Sequence, residues 1–154
     1  MEKTLVKIIA WIEILGGAVG ILISTYSVLR YLGKPGHLSL ISGVVDIVFV
    51  FSVFAGYMLY IDKKAGMVCS LLIQLIQIPQ IFSNALIYLL FIGANVSVLV
   101  NSLGFRFGIF GGSMFKIYTN NSVPHFTIGI NLIAVVLFVV LISCNVGSAS
   151  EQAG

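Results

Sequence analysis

The side chains best able to do chemistry in this sequence are two carboxylates and a run of amides, all in apolar surroundings. Glu13 lies in the apolar stretch 5–32 and Asp46 in 38–60. Ser70, Gln74, Gln77, Gln80 and Asn84 recur every three or four residues through a third stretch, 65–93. Thr127 and Asn131 open a fourth, 126–144. A charged side chain at mid-bilayer costs roughly 2.5–3.5 kcal/mol on insertion scales. Each acid must therefore face other helices, find a partner or hold a proton. No Lys or Arg stands deep in any of these stretches, so at least one of the two acids is expected to be protonated.

Read as helices, the stretches place these residues on faces. At about 100° per residue, Glu13, Gly16, Gly17, Gly20, Ser24 and Ser27 form one stripe, and Ser39, Ser42 and Asp46 form another. The third-stretch residues from Ser70 to Asn84 fall within about 120°. A rise of about 1.5 Å per residue sets Glu13 level with Gln74, and Asp46 near Gln77 and Gln80. The spacing of Gly16 and Gly20 lets a second backbone approach closely, with Gly17 beside them. Two chemistries fit such a network. It is interhelical glue, with amides bonding across helices at about 0.6 kcal/mol each. Alternatively, it is a hydrated route for a cation or proton in a homo-oligomeric channel or small transporter.

The elements that position these groups follow from composition. The 154 residues are 59% hydrophobic and 8% charged, with a mean hydropathy of +1.12. Soluble domains carry about 25% charged residues because a water-facing surface needs them. This chain is suited to a surface of lipid. A spanning helix needs about 20 apolar residues, and the four stretches meet that length. Gly33-Lys34-Pro35-Gly36 separates the first two, Asp62-Lys63-Lys64 the next two, and the polar tail 145–154 is expected to be flexible. Pro79 should kink the third helix. Positive charges in the short loops favour cytoplasmic N- and C-termini.

The connection 95–120 has another rhythm. Val96, Val98 and Val100 alternate, Phe105, Phe107 and Ile109 alternate again with Arg106 facing the other way, and Gly111-Gly112-Ser113 follows. Period two around a Gly-Gly turn predicts a β-hairpin. Open sheet edges cannot face lipid, so the hairpin is expected outside the membrane as a cap.

Several classes are disfavoured. The net charge of +3 is scattered, which gives no support to nucleic-acid binding. Cys69 and Cys144 stand alone in apolar segments, and His37 and His125 stand alone at segment edges. No metal site, cofactor or catalytic group is therefore expected.

Lys63-Lys64-Ala65-Gly66 leading into Leu71-Leu72-Ile73-Gln74-Leu75-Ile76-Gln77 resembles small four-helix membrane proteins of bacteria. So does the Phe/Gly-rich segment that leads to Ile128-Gly129-Ile130-Asn131-Leu132. The resemblance covers about half the chain, implies a bacterial inner membrane and brings no activity with it. The expectation is an all-α membrane protein, a four-transmembrane-helix bundle with a small extracytoplasmic β-hairpin between helices 3 and 4. It would act without catalysis, in the lipid bilayer, as a homo-oligomer or within a larger membrane complex.

Overall fold

The first two apolar stretches become helices and the last two only in part. The computed structural model describes residues 2–31, 40–119 and 125–151. The expected turn at residues 33–36 and Ser39 lie outside the described residues. Helix α1 spans Glu2–Tyr31 and α2 spans Leu40–Tyr60. They form an antiparallel pair held at small residues. A Cβ at Gly17 would stand 2.8 Å from the Phe49 carbonyl oxygen, and one at Gly20 would overlap the Phe49 ring. On the facing helix, a Cβ at Gly56 would meet the Ala10 carbonyl oxygen at 2.7 Å. Without side chains at these positions the two backbones close together.

Helix α3 covers only Lys64–Gln77. At about 1.5 Å per residue it is about 21 Å long, too short for a hydrocarbon layer of about 30 Å. Pro79 ends it rather than kinking it. Ile78 keeps helical geometry at φ −63° and ψ −53°, but proline offers no N–H to continue the helical ladder, and strand β1, Pro79–Phe82, begins at the proline itself. Residues read as the outer half of a third span form β1 and β2, Leu86–Phe91. Then come β3, Ala94–Asn101, β4, Gly104–Gly111, and β5, Met114–Thr119. The start of the expected fourth span is β6, Thr127–Asn131, and α4 runs from Leu132 to Glu151, through most of the tail expected to be flexible.

The all-α four-span bundle is therefore incorrect. One described helix segment, Lys3–Ser27, is long and apolar enough to cross a membrane, and the six strands form one antiparallel sheet in the order β4-β3-β6-β1-β2-β5. The expected hairpin is corrected as well. Its tight turn lies between Asn101 and Gly104, whereas Gly112-Ser113 joins β4 to β5, the opposite edges of the sheet.

Chain geometry forces this sheet to roll. In a flat sheet β4 and β5 would stand five spacings apart, about 24 Å. A link of two residues reaches at most about 11 Å. The two-residue link from β2 to β3 likewise joins strands that β6 and β1 separate. The rings of Phe91 in β2 and Phe110 in β4 stack with centroids 6.2 Å apart, so the face that carries them is the inside of the roll. Both crossing links lie at the end nearest the helices, where Gly112 N–H donates to the Gly93 carbonyl at 2.9 Å.

The rolled sheet sits on the middle of α1. A Cβ at Gly16 would lie 2.7 Å from the Gly93 amide nitrogen. From there the strands run toward the C-terminal half of α1. Leu90 and Ile92 share a buried cluster with Phe49, Ala55 and Ile73, against which Ile21, Tyr88 and Phe115 pack. A second cluster, Ile9, Ala10, Leu59 and Leu141, brings α4 back along the N-terminal half of α1. The molecule is thus a helical pair, α1 and α2, with α3 and α4 against one half and a rolled sheet against the other.

A buried polar core through bundle and sheet

In the helical half, Glu13 is 1% exposed, and three helices meet around it. Its Oε2 accepts a hydrogen bond from Ser70 Oγ at 2.6 Å, and its Oε1 accepts one from Gln74 Nε2 at 2.9 Å. Ser52 Oγ in α2 donates to the Glu13 main-chain oxygen at 3.1 Å. Gly56 lies against this site, since a Cβ there would come within 3.0 Å of Glu13 Cβ. The helical spacing that set Glu13 level with Gln74 rests on α1 and α3, and both are helical through these positions.

One turn further along α3, Gln77 joins the two halves. Its Oε1 accepts the Ile92 N–H at 2.7 Å and its Nε2 donates to the Ile73 carbonyl at 3.2 Å. Ser113 is the matching joint on α1. Its Oγ donates to the Gly16 carbonyl at 2.6 Å and accepts from Gly93 N–H at 3.0 Å. The Asn131 N–H donates to the Ile78 carbonyl at 2.9 Å, tying the end of β6 to the end of α3.

Inside the rolled sheet, Gln80 Nε2 donates to Asn95 Oδ1 at 3.0 Å. Asn131 does not lie on a helix face with Thr127. It caps α4, with its Oδ1 accepting from Ile133 N–H at 3.1 Å and from Ala134 N–H at 3.4 Å. Asparagine is a favoured residue at this position because its side chain satisfies amides that have no helical partner. The Nδ2 groups of Asn95 and Asn131 are buried without a partner among the described residues.

The other expected neighbours are not brought together. Asp46 meets neither Gln77 nor Gln80, whose partners are named above. Its Oδ1 is buried without a partner among the described residues. Asn84 is exposed in the turn between β1 and β2. Gln80 and Asn84 left the glutamine stripe because the helix stops at Gln77. Gly16, Gly17 and Gly20 each stand at a close approach, Gly16 to the sheet and the other two to α2.

Sequence reasoning missed Ser52, Gly56, Asn95, Ser97 and Ser113. Ser52 and Gly56 are four apart on α2, the small-residue spacing noted only on α1. Asn95 and Ser97 are the polar positions of the period-two pattern, each 1% exposed, and they point inward. Among the described residues no three His, Cys, Asp or Glu side chains gather to hold a metal. Cys69 and Cys144 form no disulfide. The arrangement organises hydrogen bonds between helices and between bundle and sheet.

No protein-family model, curated protein or solved structure matches this chain.

Proposed function

We propose that this chain is an integral membrane protein that catalyses no reaction and acts through assembly, with copies of itself or with a larger partner. The observation that carries this reading is an inverted distribution of polarity. Glu13, Gln74, Gln77, Gln80, Asn95 and Asn131 are each 2% exposed or less. Phe105, Phe107 and Ile109, on the outer face of β4, are 74%, 78% and 79% exposed. Val100, Ile128 and Ile130 extend that outer surface, and Leu15, Leu22, Tyr26 and Leu29 do the same on α1. In water such a surface would aggregate, whereas in lipid it is the favourable exterior. The apolar segment Lys3–Ser27 would cross the bilayer. Near one end of it Lys7 lies 5.8 Å from the Tyr60 ring, which packs edge-on to Trp11, an arrangement suited to a membrane interface. Cytoplasmic termini and a bacterial inner membrane belong to the same proposal.

The buried network serves this reading as glue. Glu13 is closed by donors from a second helix, and Gln77 and Ser113 fasten sheet to bundle. A cation or proton path would need these groups to open to water, and Glu13, Gln74 and Gln77 are engaged with one another or with backbone. Extraction of membranes with alkaline carbonate should leave the chain in the pellet. A mild detergent should release a particle heavier than one chain, made of identical copies or holding a stoichiometric partner. Release by carbonate would overturn the membrane reading, and a solitary chain would overturn assembly. A Glu13→Gln protein that assembles normally yet changes proton or cation flux in vesicles would favour the path instead.

A further inference from the structure

Helix α1 has two faces. On one, Gly16, Gly17 and Gly20 press against the sheet and α2, and Glu13 is closed in by α2 and α3. The opposite face is open. Leu5, Ile8, Leu15, Val19, Leu22, Tyr26 and Leu29 on it are 40% to 70% exposed. Together with Ile12 they follow one another at alternating steps of three and four residues, from Leu5 to Leu29, and α1 is helical throughout. A steady seven-residue repeat keeps one stripe turned toward a partner while both helices supercoil. Lipid imposes no such repeat, because any apolar side chain satisfies it at any position.

The kinds of side chain in the repeat identify the partner. With Leu5, Ile12, Val19 and Tyr26 at its first position, Ile8, Leu15, Leu22 and Leu29 stand at its fourth. β-Branched residues at the first position and leucine at the fourth favour two parallel strands. The middle of the seam, Ile12, Leu15, Val19 and Leu22, follows that rule at each place. An identical helix offers the same knobs and the same holes, so a twofold axis along the pair makes the contact self-complementary. Parallel helices also keep both copies the same way up in a bilayer. We infer that α1 forms a parallel, knobs-into-holes pair with α1 of a second copy, centred on these four residues.

Two further features fit a second copy. A groove of about 540 Å³ opens beside the seam, between Ile12, Leu15 and Val19 of α1 and Gly93, Ala94 and Gly112 at the seat of the sheet. The small residues on its far side leave room for another helix to approach. At about 200 Å² for a fully exposed large side chain, the exposed fractions of the seven open residues correspond to roughly 800 Å² per copy, the share each partner gives to a stable interface of standard size. In lipid, where apolar burial gives helices no reason to associate, a close fit of this kind is what holds them together. The inference rests on the assembly reading and supplies its partner and its surface.

The test uses the full chain with Cys69 and Cys144 replaced by Ala, carrying one new cysteine at a time along α1, in the membranes of the cells that express it. Oxidation should link chains at Ile12→Cys, Leu15→Cys, Val19→Cys and Leu22→Cys. It should link them far less at Ala18→Cys and Thr25→Cys, which are also exposed but lie off the seam. In a mild detergent the parent should run as a dimer. The double variant Leu15→Ala, Leu22→Ala should raise its dissociation constant by about tenfold or more. Ile47→Ala, which removes a similarly exposed side chain from α2, should leave it unchanged. All these side chains are exposed in the single chain, so both variants should keep the circular dichroism of the parent. Links of equal strength around the helix, no links at any position, or a dimer unmoved by the double variant would overturn the inference. Linkage of α1 to a different protein would overturn it as well while leaving the assembly reading in place, and a solitary chain would remove both.

Discussion

The two halves of the molecule bury polar side chains behind apolar walls, and they satisfy them differently. In the helical half, both oxygens of Glu13 are occupied by donors from α3, and its main chain by Ser52 from α2. In the rolled sheet, Gln80 and Asn95 bond to each other, while the amide nitrogens of Asn95 and Asn131 are left over. A closed network fixes one arrangement of three helices. A network with surplus donors is short of acceptors. The first half is therefore read as glue and the second as the less completely satisfied interior.

The largest effect should come from breaking the joint between the halves. Gly16→Leu would drive a side chain into the Ile92–Gly93 turn, whose backbone cannot yield as a flexible side chain does. Overpacking costs about 1–3 kcal/mol, and contact with backbone puts this case at the upper end. Thermal unfolding in detergent should show the loss, and limited proteolysis should cut the sheet before the helices. A variant that melts and digests like the parent would mean that the two halves are not coupled at Gly16.

Next in size is the closed network. Gln74→Leu leaves Glu13 Oε1 buried without its donor and should cost about 1–3 kcal/mol. The double variant Glu13→Leu, Gln74→Leu removes both partners of this bond and should recover part of that loss, since Ser70 Oγ then lacks its acceptor. Two additive losses would show that the pair is not coupled and that Glu13 is held by other means.

How much of this was legible in the sequence depended on where one periodicity persists. Glu13 and Gln74 could be aligned because α1 and α3 are helical through both. The same arithmetic misplaced Gln80 and Asn84, since Pro79 stops the helix two residues beyond Gln77. Leu86–Phe91 is a continuous apolar run, and such runs do not distinguish a buried strand from a helix. The alternation from Val96 to Ile109 was readable as strands. Its inside and outside were not, because the polar positions face inward here, whereas in soluble sheets they face water. The roll itself follows from the short links at 92–93 and 112–113 once strand order is known. The sequence carries no local signal for that order.

Asn131→Ala should give a smaller effect, about 1 kcal/mol, through loss of the cap on α4. It should appear as a lowered melting temperature with helix content little changed, and a loss several times larger would mean that Asn131 also supports the sheet interior. The smallest effect on stability is expected at the exposed Lys116. Lys116→Gln in detergent should shift stability by no more than about 0.5 kcal/mol, as exposed substitutions usually do.

The inverted distribution of polarity is tested most directly at Phe107. A spin label is attached through Phe107→Cys in a chain whose Cys69 and Cys144 have been replaced by Ala, reconstituted in lipid bilayers. Its relaxation is compared with dissolved oxygen and with a water-soluble nickel complex. A label that oxygen relaxes strongly and nickel scarcely would place the outer face of β4 in lipid, as expected. Relaxation by nickel would put that face in water and contradict the membrane-embedded reading of the rolled sheet.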